Sequence, residues 1–100
     1  MSESKLERQF QANLIKKIKD IVPDCIVLKN DSGYLQGVPD LVVLGPKTWA
    51  ALEVKRSAKA HKQPNQEYYV DKMNKLSYAN FVYPENEEEV LNDIRETFKP

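Results

Sequence analysis

The chain has one cysteine and one histidine, too few within a single copy for a disulfide framework or a Cys/His zinc site. Any metal ion it binds must therefore be held mainly by oxygen. No apolar run approaches the roughly 20 residues needed to cross a bilayer, and the opening MSESKLERQF places no apolar segment after its charges, as a secretory signal would require. The expectation is a cytoplasmic protein with no membrane partner. An excess of either charge is also missing: 15 basic residues balance 15 acidic ones, which argues against a general nucleic-acid coat protein. There is no internal repeat and no low-complexity segment.

Charge is present but unevenly spread. Residues 55–75 hold six Lys or Arg and two acids, whereas residues 84–100 hold six acids and two bases. Only the first of these faces suits phosphate. In SKLERQFQANLIKKIKDIV, apolar residues at 6, 10, 14, 18 and 21 predict a helix that Pro23 ends. CIVLKN (25–30) reads as a strand and DSGYLQG as a loop. LVVL (41–44) and TWAALEV (48–54) flank Gly45-Pro46-Lys47 as an antiparallel hairpin. Pro64 suits the first turn of a helix through QEYYVDKMNKL, and NFVY (80–83) predicts a fourth strand. A last helix starts near Asn86 as N-cap, with Glu87, Glu88 and Glu89 at the positive end of its dipole. The expected product is one α/β domain over residues 1–100, in the order αβββαβα, with a small mixed sheet flanked by helices.

The hairpin carries three charges inside an otherwise apolar stretch, VPDLVVLGPKTWAALEVK. Strand periodicity puts Glu53 and Lys55 on one face with Trp49 and Ala51, and Leu52 and Val54 on the other. A turn that leaves two or four residues unpaired sets Asp40 across from Glu53; a three-residue turn sends them to opposite faces. Opposed carboxylates repel unless a positive charge lies between them. A divalent cation meets that need, and magnesium typically takes one or two carboxylates and keeps several waters. Lys55 is then placed to hold an attacking water or to stabilise charge building on a phosphate. Pro39 makes the start of the strand rigid. A solvated face on which Asp40 and Lys55 balance charge is the simpler account of this triplet taken alone.

Two residues outside the hairpin add to it. Glu7 falls within the helical arc of Phe10, Leu14, Ile18 and Ile21, so it points with the buried stripe, where a lone carboxylate is expensive. Ser4-x-x-Glu7 also fits a capping box. Gln66 shares a face of the second helix with Tyr69 and Met73 and looks toward the sheet, or it is a polar helix-start residue bonded to backbone. Gly33 and Gly37 are either turn formers or points of close approach to a nucleic-acid backbone.

Glu7 with Phe10-Gln11, Gly33, Gly37-Val38-Pro39-Asp40, Leu52-Glu53-Val54-Lys55 and Pro64-Asn65-Gln66, in that order, resemble the PD-(D/E)xK nucleases, and within them the virus-type replication-repair nuclease (VRR-NUC) family. The resemblance spans residues 7 to about 94. It implies a restriction-endonuclease-like core and phosphodiester hydrolysis with Mg2+ or Mn2+ as cofactor. Asp40, Glu53 and the Val54 carbonyl would ligate the metal, Glu7 would complete the cluster, Lys55 would activate the water, and Gln66 would orient Lys55 or the water. The connector SAKAHKQP departs from the family pattern and leaves Gln63 as an alternative to Gln66, which has the better helical position. Short stand-alone members are similar to Holliday-junction resolvases, so the resemblance implies a homodimer acting on branched or four-way-junction DNA. Gly33, Arg56, Lys59, His61 and Lys62 would meet its backbone. Tyr34-Leu35 or Tyr68-Tyr69 would add to a dimer surface or to the core. The competing readings are a non-catalytic DNA-binding or assembly module on the same fold, and a flap or restriction-type nuclease.

Overall fold

The computed structural model describes residues 3–31 and 33–100, with side chains from residue 5. The capping-box expectation at Ser4 and the Ser32 position of the DSGYLQG loop therefore lie outside the described residues. Helix α1 spans Glu3–Ile21, β1 Ile26–Lys29, β2 Leu41–Leu44, β3 Trp49–Val54, α2 Pro64–Leu76, β4 Tyr78–Val82 and α3 Glu87–Thr97, with a 3-10 turn at Pro84–Asn86 before α3. This is the αβββαβα order expected from the sequence. The sheet order is β1-β2-β3-β4. The first three strands run antiparallel, and β4 joins β3 in parallel through the α2 crossover.

Each face of the sheet is covered by helix. Leu41, Val43, Ala50, Leu52, Val54 and Val82 form the main core with Leu14 and Ile18 of α1 and Val90, Leu91 and Ile94 of α3. On the opposite face, Ala51 and Ala79 pack against Val70 of α2, with Val42, Trp49, Met73 and Phe81 around them. The small side chains on that face let α2 lie close to the sheet. The hairpin face that bears Glu53 is thus packed, not solvated, along most of its length. None of the helices among the described residues is long and apolar enough to cross a membrane.

Three local departures from the sequence reading have physical causes. Leu6 is 48% exposed, so the buried stripe of α1 begins at Phe10 rather than at Leu6. β4 starts at Tyr78, two residues before the expected start, because its parallel partner Ala50 pairs with Tyr78. Asn86 precedes α3 but does not cap it through its side chain. Its Oδ1 accepts from Tyr83 N at 2.9 Å and its Nδ2 donates to Phe81 O at 3.0 Å, which closes the end of β4 where the ladder runs out.

The loop between β1 and β2 is seated by a glycine. Gly37 has φ +92°, a conformation that disfavours side chains, and a Cβ built on it would lie 2.7 Å from Asn65 Cγ and 2.8 Å from the Asn65 backbone carbonyl carbon. The close approach at Gly37 is thus to the first turn of α2. Gly37→Ala is expected to destabilise the fold by about 1–3 kcal/mol through strain and overpacking. Denaturant unfolding checks this, and because backbone as well as side chain is in the way, Asn65→Ala should not restore the loss.

Candidate active site

The β2–β3 register decides what the hairpin can do. Leu44 pairs with Trp49 and Leu41 with Leu52, and Gly45 N donates to Thr48 O at 2.9 Å, so Pro46 and Lys47 are the two residues left in the turn. Carried one pair further, the same register sets Asp40 across from Glu53, as the sequence requires for a shared patch. Alternate pairs of an antiparallel ladder exchange hydrogen bonds, and the next such pair would be Pro39 with Val54. Pro39 has no N–H to give, and its carbonyl accepts instead from Asn30 Nδ2 at 2.8 Å. The ladder therefore stops. The Val54 N–H turns to the Asp40 carboxylate, donating to Oδ2 at 2.8 Å, and the Val54 carbonyl receives no donor from Pro39.

Around this break the sheet end gathers the remaining side chains. Gln66, one turn into α2, lies over Glu53 and Lys55: its Nε2 donates to Glu53 Oε2 at 3.1 Å, and its Oε1 accepts from Lys55 Nζ at 2.8 Å and from Gln63 N at 3.0 Å. An ammonium can only donate, so the Lys55 contact fixes which end of the amide faces it. Lys55 Nζ is also 3.9 Å from Glu53 Oε2. Of the two glutamines, Gln66 is the one whose side chain meets Glu53 and Lys55; Gln63 bonds to Gln66, donating its N–H to Oε1 and accepting from Gln66 N at its carbonyl. Asn30, which the sequence reading passed over, holds Asp40 from the β1 side: its backbone N donates to Asp40 O at 2.7 Å while its side chain holds Pro39. Asn30 stands opposite Asp40 at the end of β1, a placement that only the β1–β2 register reveals.

Burial shapes the electrostatics. Glu53 is only 4% exposed, and its pKa is pushed up to about 8, first by loss of water and then by the charge of Asp40, with Lys55 pulling the other way. Desolvation also raises Asp40, against the lowering effect of the Val54 N–H and Lys55. Glu7, at the start of α1, reaches the same neighbourhood: burial and Asp40 raise its pKa while Lys55 and Arg56 lower it. Without a cation, two close carboxylates in this setting retain a proton between them.

The other expected site residues are more dispersed. Arg56 is close enough to Glu7 to act on its charge. Lys59 and His61 are exposed on the connector between β3 and α2, which Ala58 N ties to Glu85 Oε1 at 3.2 Å. Lys62 is half-buried, with its ammonium 5.1 Å from the centre of the Phe81 ring and 5.7 Å from that of Tyr83. Gly33 is exposed and donates its N–H to Asp31 Oδ1 at 2.9 Å, a local turn outside the carboxylate cluster.

The donor set fits a small hard cation of low coordination demand on the protein: two carboxylates and one backbone carbonyl without its ladder partner. Among the described residues no group of three or more His, Cys, Asp or Glu side chains is arranged to hold a metal ion. Glu7 acts on the ionisation of the carboxylate pair from the α1 side.

Comparison with known proteins agrees with this geometry at the level of fold. Neither a protein-family model nor a curated protein matches the sequence. Among solved structures the chain is similar to a VRR_NUC domain at 21% identity, with a TM-score of 0.60 over 81% of this chain and 92% of that one. The core is of the mixed α/β class, a four-stranded mixed sheet with three helices. Within that class, the chain has the fold of a VRR_NUC domain.

A pH dependence follows from the raised carboxylates. In the unfolded chain Glu53 ionises near its ordinary value of 4.5, whereas the folded protein keeps the proton until about 8. Between those values the folded state binds more protons than the unfolded state, so stability falls as pH rises through that window and levels off above it. In chelator, Tm should decline from about pH 5 to about pH 8. Millimolar Mg2+ or Mn2+ should flatten the decline, and Glu53→Gln should remove most of it. A Tm profile unaffected by Glu53→Gln would contradict the assignment.

Proposed function

We propose that this chain is a metal-dependent DNA endonuclease of the VRR-NUC type, acting on branched DNA and foremost on the four-way junction. The observation that carries the reading is Asp40 facing Glu53 at a break in the ladder, with Lys55 held beside Glu53 by Gln66. A bound Mg2+ or Mn2+ ion supplies Lewis-acid polarisation and charge neutralisation at the phosphate. Asp40, Glu53 and the Val54 carbonyl would hold it, and Glu7 would add negative charge from the α1 side. Lys55 orients the attacking water and offsets charge gathering on the phosphate. Gln66 holds Lys55 extended and, by donating to Glu53 Oε2, leaves that carboxylate one fixed orientation. Hydrolysis is an in-line displacement leaving a 5′-phosphate, the outcome usual for this family. Lys59 and His61 on the connector, with Arg56, meet the DNA backbone and position it without reading sequence. Lys62 supports this connector from beneath through Phe81 and Tyr83.

Symmetric cutting of a junction needs two sites, and we assign the partner as a second copy of this chain. β1 is the antiparallel edge strand of the sheet, β4 being the parallel one, and Ile26 and Leu28 on it and Leu44 on β2 are 60%, 45% and 38% exposed. An open antiparallel edge with an apolar row next to it is self-complementary about a two-fold axis.

The purified protein should cut a four-way junction in Mg2+ or Mn2+, not in chelator, and at symmetric positions in opposing strands. Lys55→Ala should lower the rate by roughly 100-fold or more with unchanged Tm in the presence of metal. Metal-dependent binding without cutting of junction, flap or linear duplex would favour a non-catalytic DNA-binding module. Cutting confined to flaps would replace the resolvase reading.

A further inference from the structure

The five tyrosines of the chain differ in one respect that folding does not explain. Tyr69, Tyr78 and Tyr83 are half-buried, and Tyr78 OH donates to Asp93 Oδ2 at 2.8 Å. Tyr68, 55% exposed, lies edge-on to Tyr69 and under Lys72. Tyr34 is 95% exposed and has no hydrogen bond or ring contact among the described residues, and its neighbour Leu35 is 42% exposed. A bare aromatic ring beside an aliphatic side chain contributes nothing to this core. It is left open to be covered by a partner.

Its setting says by what. The loop that carries Tyr34 springs from the Asn30–Asp40 pair and is seated against α2 at Gly37. Three residues on, Gly37 is pressed against Asn65, next to Gln66; six residues on is Asp40, held by Asn30. At most about 3.5 Å per residue, the Tyr34 backbone is within roughly 10 Å of Gly37 and 20 Å of Asp40. That is a span of one to three nucleotides from a phosphate at the carboxylate pair.

We propose that Tyr34, with Leu35 beside it, is a stacking platform for an unpaired or unstacked base of the DNA next to the scissile phosphate. This rests on the nuclease reading above and deepens it, because it names the feature of the substrate that the site selects. A base in a continuous duplex has both faces covered, whereas a base at a branch or gap has a free face for the ring. Selection of branched over linear DNA is then a local act of one loop, separate from the phosphate contacts.

The test is binding of fluorescent junction, gapped duplex and linear duplex DNA in Ca2+, with 2-aminopurine at the branch point of the junction and in the unpaired stretch of the gapped duplex as the stacking reporter. Tyr34→Ala should weaken junction and gapped-DNA binding by roughly 5- to 100-fold, leave linear-duplex binding unchanged and abolish 2-aminopurine quenching. Tyr34→Phe should behave as wild type. Equal affinities for wild type and Tyr34→Ala, or an equal loss on every DNA, overturn the platform while leaving the nuclease reading in place. A Tyr34→Ala protein that becomes monomeric in sedimentation, with DNA affinity lost on all substrates, assigns the ring to the second copy and likewise overturns it. Failure of the wild-type protein to bind any DNA removes the nuclease reading, and the platform with it.

Discussion

The opposition of Asp40 and Glu53 is the constraint on which the rest of the molecule turns. Two carboxylates on adjacent antiparallel strands are unfavourable, and burial of Glu53 makes them more so. The fold holds them there by means that have nothing to do with their charge: a two-residue turn sets the register, and the apolar pairs Leu41 with Leu52 and Val43 with Ala50 lock it. A slip of one residue would send those side chains to the wrong face of the sheet. The core thus enforces a charge arrangement that only a proton or a cation relieves.

Around that pair the architecture brings element ends together. α1 begins on one face of the sheet and places Glu7 within electrostatic range; α2 begins on the other and lays Gln66 across Glu53 and Lys55. β1 contributes Asn30, and the loop after it rests on Asn65 through Gly37. Pro39 has the most economical role. By denying Val54 a donor and diverting its N–H to Asp40, it ends the pairing where the site starts.

Much of this was legible in the chain. The period of two in LVVL and WAALEV reduces the register to a question of turn length, and the two-residue turn of the structure selects the Asp40–Glu53 opposition. Likewise the helical arc through Phe10 and Leu14 puts Glu7 on the inward side, and Pro64 starts α2 so that Gln66 looks at the sheet. What was not legible depends on contacts distant in sequence. Nothing in Gly37 itself says that its neighbour is Asn65. The stacking of Lys62 on Phe81 and Tyr83 needs the parallel placement of β4, and a Lys in a basic run reads as a phosphate contact. The isolation of Tyr34 is visible only once the core is complete without it, and Asn30 becomes a positioning residue only when the β1 register is known.

The most direct test of the account is calorimetric titration of Mn2+ into the protein at pH 7, repeated in two buffers of different ionisation heat. If the facing carboxylates form the cation site, binding is saturable and releases about one proton per ion as the shared proton is displaced. Asp40→Asn and Glu53→Gln should each abolish binding in these titrations. Saturable binding that persists in both variants, or binding with no proton release, would contradict the assignment of this pair as the cation site.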